Sequence, residues 1–123
     1  MNGIEGLRVL AVEDEALVAL SLESMLEELG CEVSALAMRF EQAEAAIADG
    51  TAIDAAVLDV NLGGRNIFPI AETLALRGVP FVFATGYGSA GLPRQWSDRP
   101  VIQKPYTVED LAAGLRRAVS KRA

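Results

Sequence analysis

Residues 7–15 read LRVLAVEDE, an apolar run that ends in three acidic residues, and residues 55–60 read AAVLDV, a second apolar run with Asp59 near its end. Short apolar runs rich in β-branched residues are typical of strands that are buried on both faces of a parallel sheet. The two stretches therefore predict two buried strands, each with carboxylates at or beside its carboxyl end.

Strand-like and helix-like spacing of apolar residues alternates along the rest of the chain. Further strands are predicted over 32–37, 79–84 and 100–103, and helices over 16–29, 40–49, 66–78 and 107–119, with a short fourth helix between the last two strands. Asn66 is the predicted cap of the third helix, and Thr107 with Asp110 forms a predicted capping box for the last one. Five strands alternating with five helices predict an α/β fold, an open parallel sheet covered on both faces.

The composition restricts the chemistry that this chain can perform. Its 123 residues, 51% of them hydrophobic, predict one domain over 1–123 without a separate output domain. The absence of histidine excludes catalytic sets and zinc sites that use imidazole, and Cys31 alone forms no intrachain disulfide. A net charge of −6 argues against nucleic acid as a direct partner. With no long apolar run, we expect a cytoplasmic protein that does not enter a membrane.

Chemically distinctive side chains follow four of the predicted strands: Glu13, Asp14, Asp59, Thr85 and Lys104. Each alone has an ordinary explanation as a helix cap, a turn residue or a solvated lysine. A parallel sheet, however, brings the carboxyl ends of its strands to one edge. Clustered carboxylates repel one another unless a cation lies among them, and oxygen ligands without imidazole or thiolate favour Mg²⁺ or Mn²⁺.

A metal at this edge would prepare the site for phosphoryl transfer to a carboxylate. Asp59 is the candidate nucleophile, because the other two acids are adjacent on one loop and suit metal binding. Lys104 and the Thr85 hydroxyl are candidate partners of the phosphoryl oxygens. The backbone N–H groups near Asn61 and Gly86 are further candidate donors.

The motifs LRVLAVEDE, AAVLDVNLGG, FVFATGYG and VIQKPYTVEDL resemble, in order and spacing, those of the receiver domains of bacterial response regulators. The resemblance covers essentially the whole chain and implies a flavodoxin-like sheet of strand order 2-1-3-4-5. It implies that Asp59 takes a phosphoryl group from a sensor histidine kinase or a histidine phosphotransfer protein. By position, the implied Mg²⁺ ligands are Glu13, Asp14, Asp59 and the backbone carbonyl of Asn61, the implied hydroxyl is Thr85, and the implied lysine is Lys104, before a proline that is commonly cis.

Two positions depart from the usual receiver pattern. Glu13 stands where aspartate is usual, and Val101 stands where receivers carry the strand-five aromatic that turns inward on phosphorylation. With FATGYG and KPY, this departure resembles the "FAT GUY" subgroup, common in alphaproteobacteria, whose partners are often kinases of the HWE or a related type. We hypothesise that Tyr87 or Tyr106 replaces the missing aromatic as the switch. If partner binding by Tyr87→Ala and Tyr106→Ala depends on phosphorylation as before, the hypothesis is wrong.

Three other functions share parts of this pattern. Haloacid-dehalogenase phosphatases also use a strand-end aspartate with Mg²⁺, but they carry a general-acid aspartate two residues later, where this chain has Asn61. A pseudo-receiver would keep the fold as an interaction module without being phosphorylated. A flavodoxin-like cofactor domain would require a phosphate-binding loop after the first strand, where acidic residues stand instead. We expect no enzymatic turnover beyond phosphoryl transfer to Asp59 and its hydrolysis.

Overall fold

A computed structural model describes residues 3–86 and 92–120. It contains a five-stranded parallel sheet built from β1 (Arg8–Val12), β2 (Glu32–Ala37), β3 (Ala55–Asp59), β6 (Phe81–Thr85) and β7 (Val101–Gln103), with a small hairpin of β4 (Asn61–Leu62) and β5 (Arg65–Asn66) beside it. The sheet order is β2-β1-β3-β6-β7. Counting only the strands of the parallel sheet, this is the predicted flavodoxin-like order 2-1-3-4-5, so the predicted α/β fold class is confirmed.

The helices of the described residues are α1 (Ala16–Glu28), α2 (Phe40–Ala48), α3 (Phe68–Leu76) and α4 (Val108–Ser120). The N-cap of α3 is Ile67, so the predicted cap at Asn66 is wrong by one residue. The Asn66 side chain still accepts a hydrogen bond from the Phe68 N–H at 3.1 Å, just before the helix begins. Reciprocal bonds between Thr107 and Asp110, at 3.0 and 3.1 Å, confirm the capping box of α4. None of these helices is long and apolar enough to cross a membrane.

The prediction of five helices is wrong by one. Between β6 and β7 the described residues contain a single 3-10 turn, Arg94–Trp96, and residues 87–91 lie outside the described part of the chain. Gly86 and Pro93 help to explain why no α-helix is seen in the described part of this segment, because glycine and proline disfavour helical conformation. The helix count of the described residues is therefore four.

Each face of the sheet packs against two helices. One face, with α1 and α4, is built from residues such as Val9, Val57, Val82, Leu22, Leu26, Leu111 and Leu115. The other face, with α2, α3 and the Trp96 segment, is built from residues such as Leu10, Leu58, Phe81, Phe83, Phe40, Ile47 and Leu74. β1, β3 and β6 lie in the middle of the sheet, and apart from Arg8 all their residues are buried. Buried middle strands give the polar residues at their carboxyl ends fixed positions.

The hairpin of β4 and β5 follows directly after Asp59 and was not predicted beyond a turn. Its turn residues Gly63 and Gly64 have φ angles of +59° and +88°. Two positive φ angles in succession are characteristic of the tight turn that joins the strands of a two-residue hairpin, and glycine adopts them without steric cost. The dipeptide Gly-Gly within NLGGR was the sequence signal for this hairpin.

Candidate functional site

The carboxyl edge of the sheet carries the buried polar side chains of the described residues. Glu13 follows β1 and is 1% exposed, Asp59 ends β3 and is 5% exposed, and Thr85 ends β6 and is also buried. Lys104 follows β7, and its peptide bond to Pro105 is cis, as the family resemblance implied. Burying charged groups is unfavourable unless they are paired, so these side chains need partners nearby.

Lys104 bridges two of the carboxylates. Its Nζ lies 2.8 Å from Glu13 Oε1 and 3.1 Å from Asp59 Oδ2. The Lys104 backbone N–H donates to the Thr85 carbonyl oxygen at 2.9 Å, which fixes the start of the lysine side chain against β6. The predicted convergence of these strand-end residues is therefore present in the fold, with one ammonium group between two buried carboxylates.

Backbone N–H groups orient all three acids. The Glu15 N–H donates to Glu13 Oε2 at 3.1 Å, and the Asn61 N–H lies 3.4 Å from Asp59 Oδ1. Across the site, the Gly63 N–H donates to Asp14 Oδ2 at 2.9 Å. The sequence analysis did not identify Gly63 as a hydrogen-bond donor to the site, because no residue type indicates which backbone N–H groups a hairpin will bring close to it.

The environment raises the pKa of Asp59 to about 7. Burial is the main cause and the neighbouring Glu13 carboxylate adds to it, while Lys104 opposes both. The pKa of Lys104 itself is raised: burial opposes its charge, but the bonds to Glu13 and Asp59 outweigh burial. For Asp14, burial is likewise outweighed, chiefly by the Gly63 N–H, so its pKa is lowered. In the metal-free site, the three carboxylates therefore face a single ammonium group, that of Lys104.

These shifts predict how stability depends on pH when chelator removes all metal. Because the pKa of Asp59 rises from 3.8 to about 7 on folding, the folded protein keeps a proton between these values that the unfolded chain releases. The free energy of unfolding should therefore fall as pH rises from 3.8 to about 7. We expect Asp59→Asn to remove this decline and to be more stable than the unaltered chain by about 1–3 kcal/mol above that range. Denaturant unfolding across the range measures it, and equal slopes in both proteins would contradict it.

The donor set is suited to a hard divalent cation. Glu13, Asp14 and Asp59 each offer a carboxylate oxygen, and these oxygens all lie within 4.8 Å of one another. All three are oxygen donors, and this is the ligand type that Mg²⁺ and Mn²⁺ prefer. A cavity of about 440 Å³ opens beside them, and Asn61, Gly86 and Lys104 are among its lining residues. The residues present thus suit the metal expected from the sequence.

The switch candidates have different outcomes. Tyr87 lies outside the described residues, so the structure gives no account of it. Tyr106 is half-buried, and burial, followed by the charge of Glu13, raises its pKa to about 12. Its hydroxyl is buried and has no hydrogen-bond partner among the described residues. Val101 lies on β7 at the position of the missing aromatic. The switch role of Tyr106 stays a prediction.

Fold and site together define an α/β domain of the flavodoxin-like class, with an acidic pocket bridged by one lysine at the carboxyl edge of its sheet. No protein-family model matches the chain. Among solved structures it is similar to SdrG from Sphingomonas melonis Fr1, at 41% identity over 99% of this chain and 98% of SdrG, with a TM-score of 0.77. Similarity extends to the BeF₃-activated conformation of SdrG, at 43% identity and a TM-score of 0.78, over 94% of this chain and 98% of that one.

Two curated relatives are regulatory proteins of Mycobacterium tuberculosis. The transcriptional regulatory protein TcrA is 36% identical over an alignment of 126 positions that covers 97% of this chain and 48% of TcrA. The transcriptional regulatory protein PdtaR is 30% identical over an alignment of 118 positions that covers 93% of this chain and 57% of PdtaR. The chain spans about half the length of these curated relatives. It belongs to the receiver domains of response regulators, as the sequence motifs indicated.

Proposed function

We propose that this chain is a phosphoacceptor of a two-component phosphorelay, and that Asp59 takes a phosphoryl group from a phosphohistidine of a sensor kinase or a histidine phosphotransfer protein. The observation that carries the proposal is the position of Asp59, a buried carboxylate between the Lys104 ammonium group and the carboxylates of Glu13 and Asp14. Three neighbouring carboxylates repel one another, and this energetic cost is characteristic of functional sites.

The transfer is a substitution at phosphorus. An Asp59 oxygen forms a bond to phosphorus as the phosphorus–nitrogen bond breaks. The electron pair of the broken bond stays on the imidazole nitrogen of the donor. Lys104, already beside Asp59, pairs with an oxygen of the arriving group, and the Thr85 hydroxyl with the N–H groups of Asn61 and Gly86 are further donors to it. Glu13, Asp14, Asp59 and the Asn61 carbonyl would hold Mg²⁺, which would supply positive charge that offsets the charge of the phosphoryl group.

A neighbouring groove provides the approach for the donor protein. It has a volume of about 430 Å³ and runs between α1 and the segment after β7. Glu15 and Lys104 line both this groove and the cavity beside Asp59, so a protein in the groove adjoins the acceptor. Leu17, 82% exposed on α1, gives the groove an apolar rim. We assign the groove to the kinase, of the HWE or a related type, or to the phosphotransfer protein.

The similarity to SdrG supports this proposal, since a BeF₃-activated conformation of that protein has been solved and BeF₃ imitates a phosphoryl group. The phosphatase alternative lacks support, because Asn61 occupies the position that a general-acid aspartate would need. We therefore propose that the chain catalyses no turnover of small phosphate esters. Its output is contact with another protein or onward phosphotransfer, and its net charge of −6 disfavours direct contact with nucleic acid.

The test is the intact mass of the purified chain after incubation with acetyl phosphate and Mg²⁺, beside a sample in EDTA. We expect a single phosphoryl adduct that requires the metal. Failure to gain an adduct, together with failure to bind beryllofluoride, would favour the pseudo-receiver. Continuous release of phosphate from several small phosphomonoesters would favour the phosphatase.

A further inference from the structure

We infer that Arg65 is a positioning residue of the metal site, acting through the β4–β5 hairpin and the Gly63 N–H on the carboxylate of Asp14. The inference rests on the proposed function, because it concerns the affinity of the proposed Mg²⁺ site. It assigns a role to a residue outside the acidic cluster. Three links carry it: the contacts of Arg65 with α2, the rigidity of the hairpin, and the bond from the hairpin to Asp14.

The first link joins the hairpin to the start of α2. The Arg65 guanidinium carbon lies 3.7 Å from the centroid of the Phe40 ring. Its Nη1 lies 3.0 Å from Glu41 Oε2. The ion pair is exposed and contributes little by itself, but a guanidinium stacked on an aromatic ring adds both attraction and a fixed orientation. Phe40 is buried, so Arg65 is placed against a rigid part of the core.

The second link is the hairpin itself. Asn61 pairs with Asn66, and Leu62 pairs with Arg65, so Arg65 lies directly across the hairpin from a buried residue. The Asn61 side chain closes the turn by accepting a hydrogen bond from the Gly64 N–H at 3.1 Å. A two-residue hairpin closed in this way leaves its turn little freedom, so fixing β5 also fixes the Gly63 N–H.

The third link reaches the acidic cluster. The Gly63 N–H donates to Asp14 Oδ2 at 2.9 Å, although 49 positions separate the two residues in the chain. Each oxygen of an ionised carboxylate can accept more than one hydrogen bond or ligand, so this bond does not prevent the Asp14 carboxylate from binding a cation. The bond therefore limits the rotation of the Asp14 side chain while leaving an oxygen for a cation. Groups that orient a ligand in this way commonly change metal affinity by about 10–100-fold when removed.

The expected effect of Arg65→Ala is a loss of Mg²⁺ affinity of about 3–10-fold, smaller than loss of the orienting bond itself because the hairpin is loosened and not removed. Arg65→Lys should give an intermediate affinity, since a lysine keeps the positive charge beside Phe40 and Glu41 but loses the planar stacking of the guanidinium. Arg8→Ala is the matched control. It also removes an arginine ion pair, from Arg8 Nε to Asp54 Oδ2 at 2.8 Å, but at the opposite end of the sheet.

The experiment titrates Mg²⁺ into the three variants and the unaltered chain by isothermal calorimetry, and follows the Gly63 amide resonance in parallel. Denaturant unfolding in EDTA separates metal affinity from general stability. Weaker binding in Arg65→Ala, with intermediate binding in Arg65→Lys and near-normal binding in Arg8→Ala, supports the inference. Equal affinity in Arg65→Ala and the unaltered chain overturns it but leaves the proposed function intact. No saturable binding by the unaltered chain overturns the proposed metal site, and this inference with it.

Discussion

Asp59→Asn is expected to abolish the phosphoryl adduct formed with acetyl phosphate and Mg²⁺, whereas Asp54→Asn should leave the adduct unchanged. Asp54 directly precedes β3 and Asp59 ends it, so the same chemical change is made once away from the acidic pocket and once within it. Asp54 is occupied by both side-chain and backbone bonds to Arg8 at 2.8–3.0 Å. Intact mass spectrometry of both variants measures the result.

The physical reason is the particular environment of Asp59. Its amide analogue keeps nearly the same shape but lacks the anionic oxygen that attacks phosphorus. Glu13 cannot replace it readily, because its carboxylate is 1% exposed and held by Lys104 and the Glu15 N–H. An adduct of undiminished yield in Asp59→Asn would show that another residue is the acceptor, and loss of the adduct in Asp54→Asn would show that the assay reports on folding.

Lys104→Met is expected to lower the free energy of unfolding by about 2–4 kcal/mol at pH 8 in EDTA, because it leaves two buried carboxylates without their cation. Methionine keeps the length and apolar stem of the side chain, so the change is mainly one of charge. The exposed ion pair of Arg8 offers the comparison: Arg8→Met should cost much less, because exposed ion pairs contribute little to stability. Denaturant unfolding measures both variants.

The loss in Lys104→Met should depend on pH and on metal. Without the ammonium group, which lowers it, the folded-state pKa of Asp59 rises further, and protonation at pH 5 then relieves part of the repulsion. The deficit should therefore be smaller at pH 5 than at pH 8. Mg²⁺ and the second substitution in Lys104→Met/Glu13→Gln should each recover part of it. If the loss in free energy of unfolding is unchanged by pH, by Mg²⁺ and by the second substitution, Lys104 contributes by packing alone.

The sequence predicted the parts of this molecule that depend on local patterns. Apolar runs such as 55–60 identify buried strands, and the polar residue that ends each run then lies at a known edge of the sheet. For this reason the proximity of Asp59 and Lys104 was predictable, although the two residues are far apart in the chain. The family resemblance supplied the strand order, which composition and spacing alone leave open.

Features that depend on backbone geometry were not predictable in the same way. The bond from the Gly63 N–H to Asp14 depends on how a tight hairpin folds back toward β1, and a backbone donor carries no signature in the side-chain sequence. The contact of Arg65 with Phe40 likewise arises only once α2 and the hairpin are placed side by side. The short fourth helix was predicted from alternation of strands and helices, and local glycine and proline content outweighed that alternation in the described residues.

Trp96 gives the chain a built-in optical reporter. It is the single tryptophan of the sequence, is buried, and packs edge-on against Phe81 and Phe83 on the face of the sheet that carries α2 and α3. The groove beside α1 lies on the opposite face. A protein that only binds in the groove should therefore leave the Trp96 fluorescence unchanged. The fluorescence should change only when the structure rearranges on the Trp96 face of the sheet as well. Intrinsic fluorescence can thus separate docking from signal transmission without any attached dye.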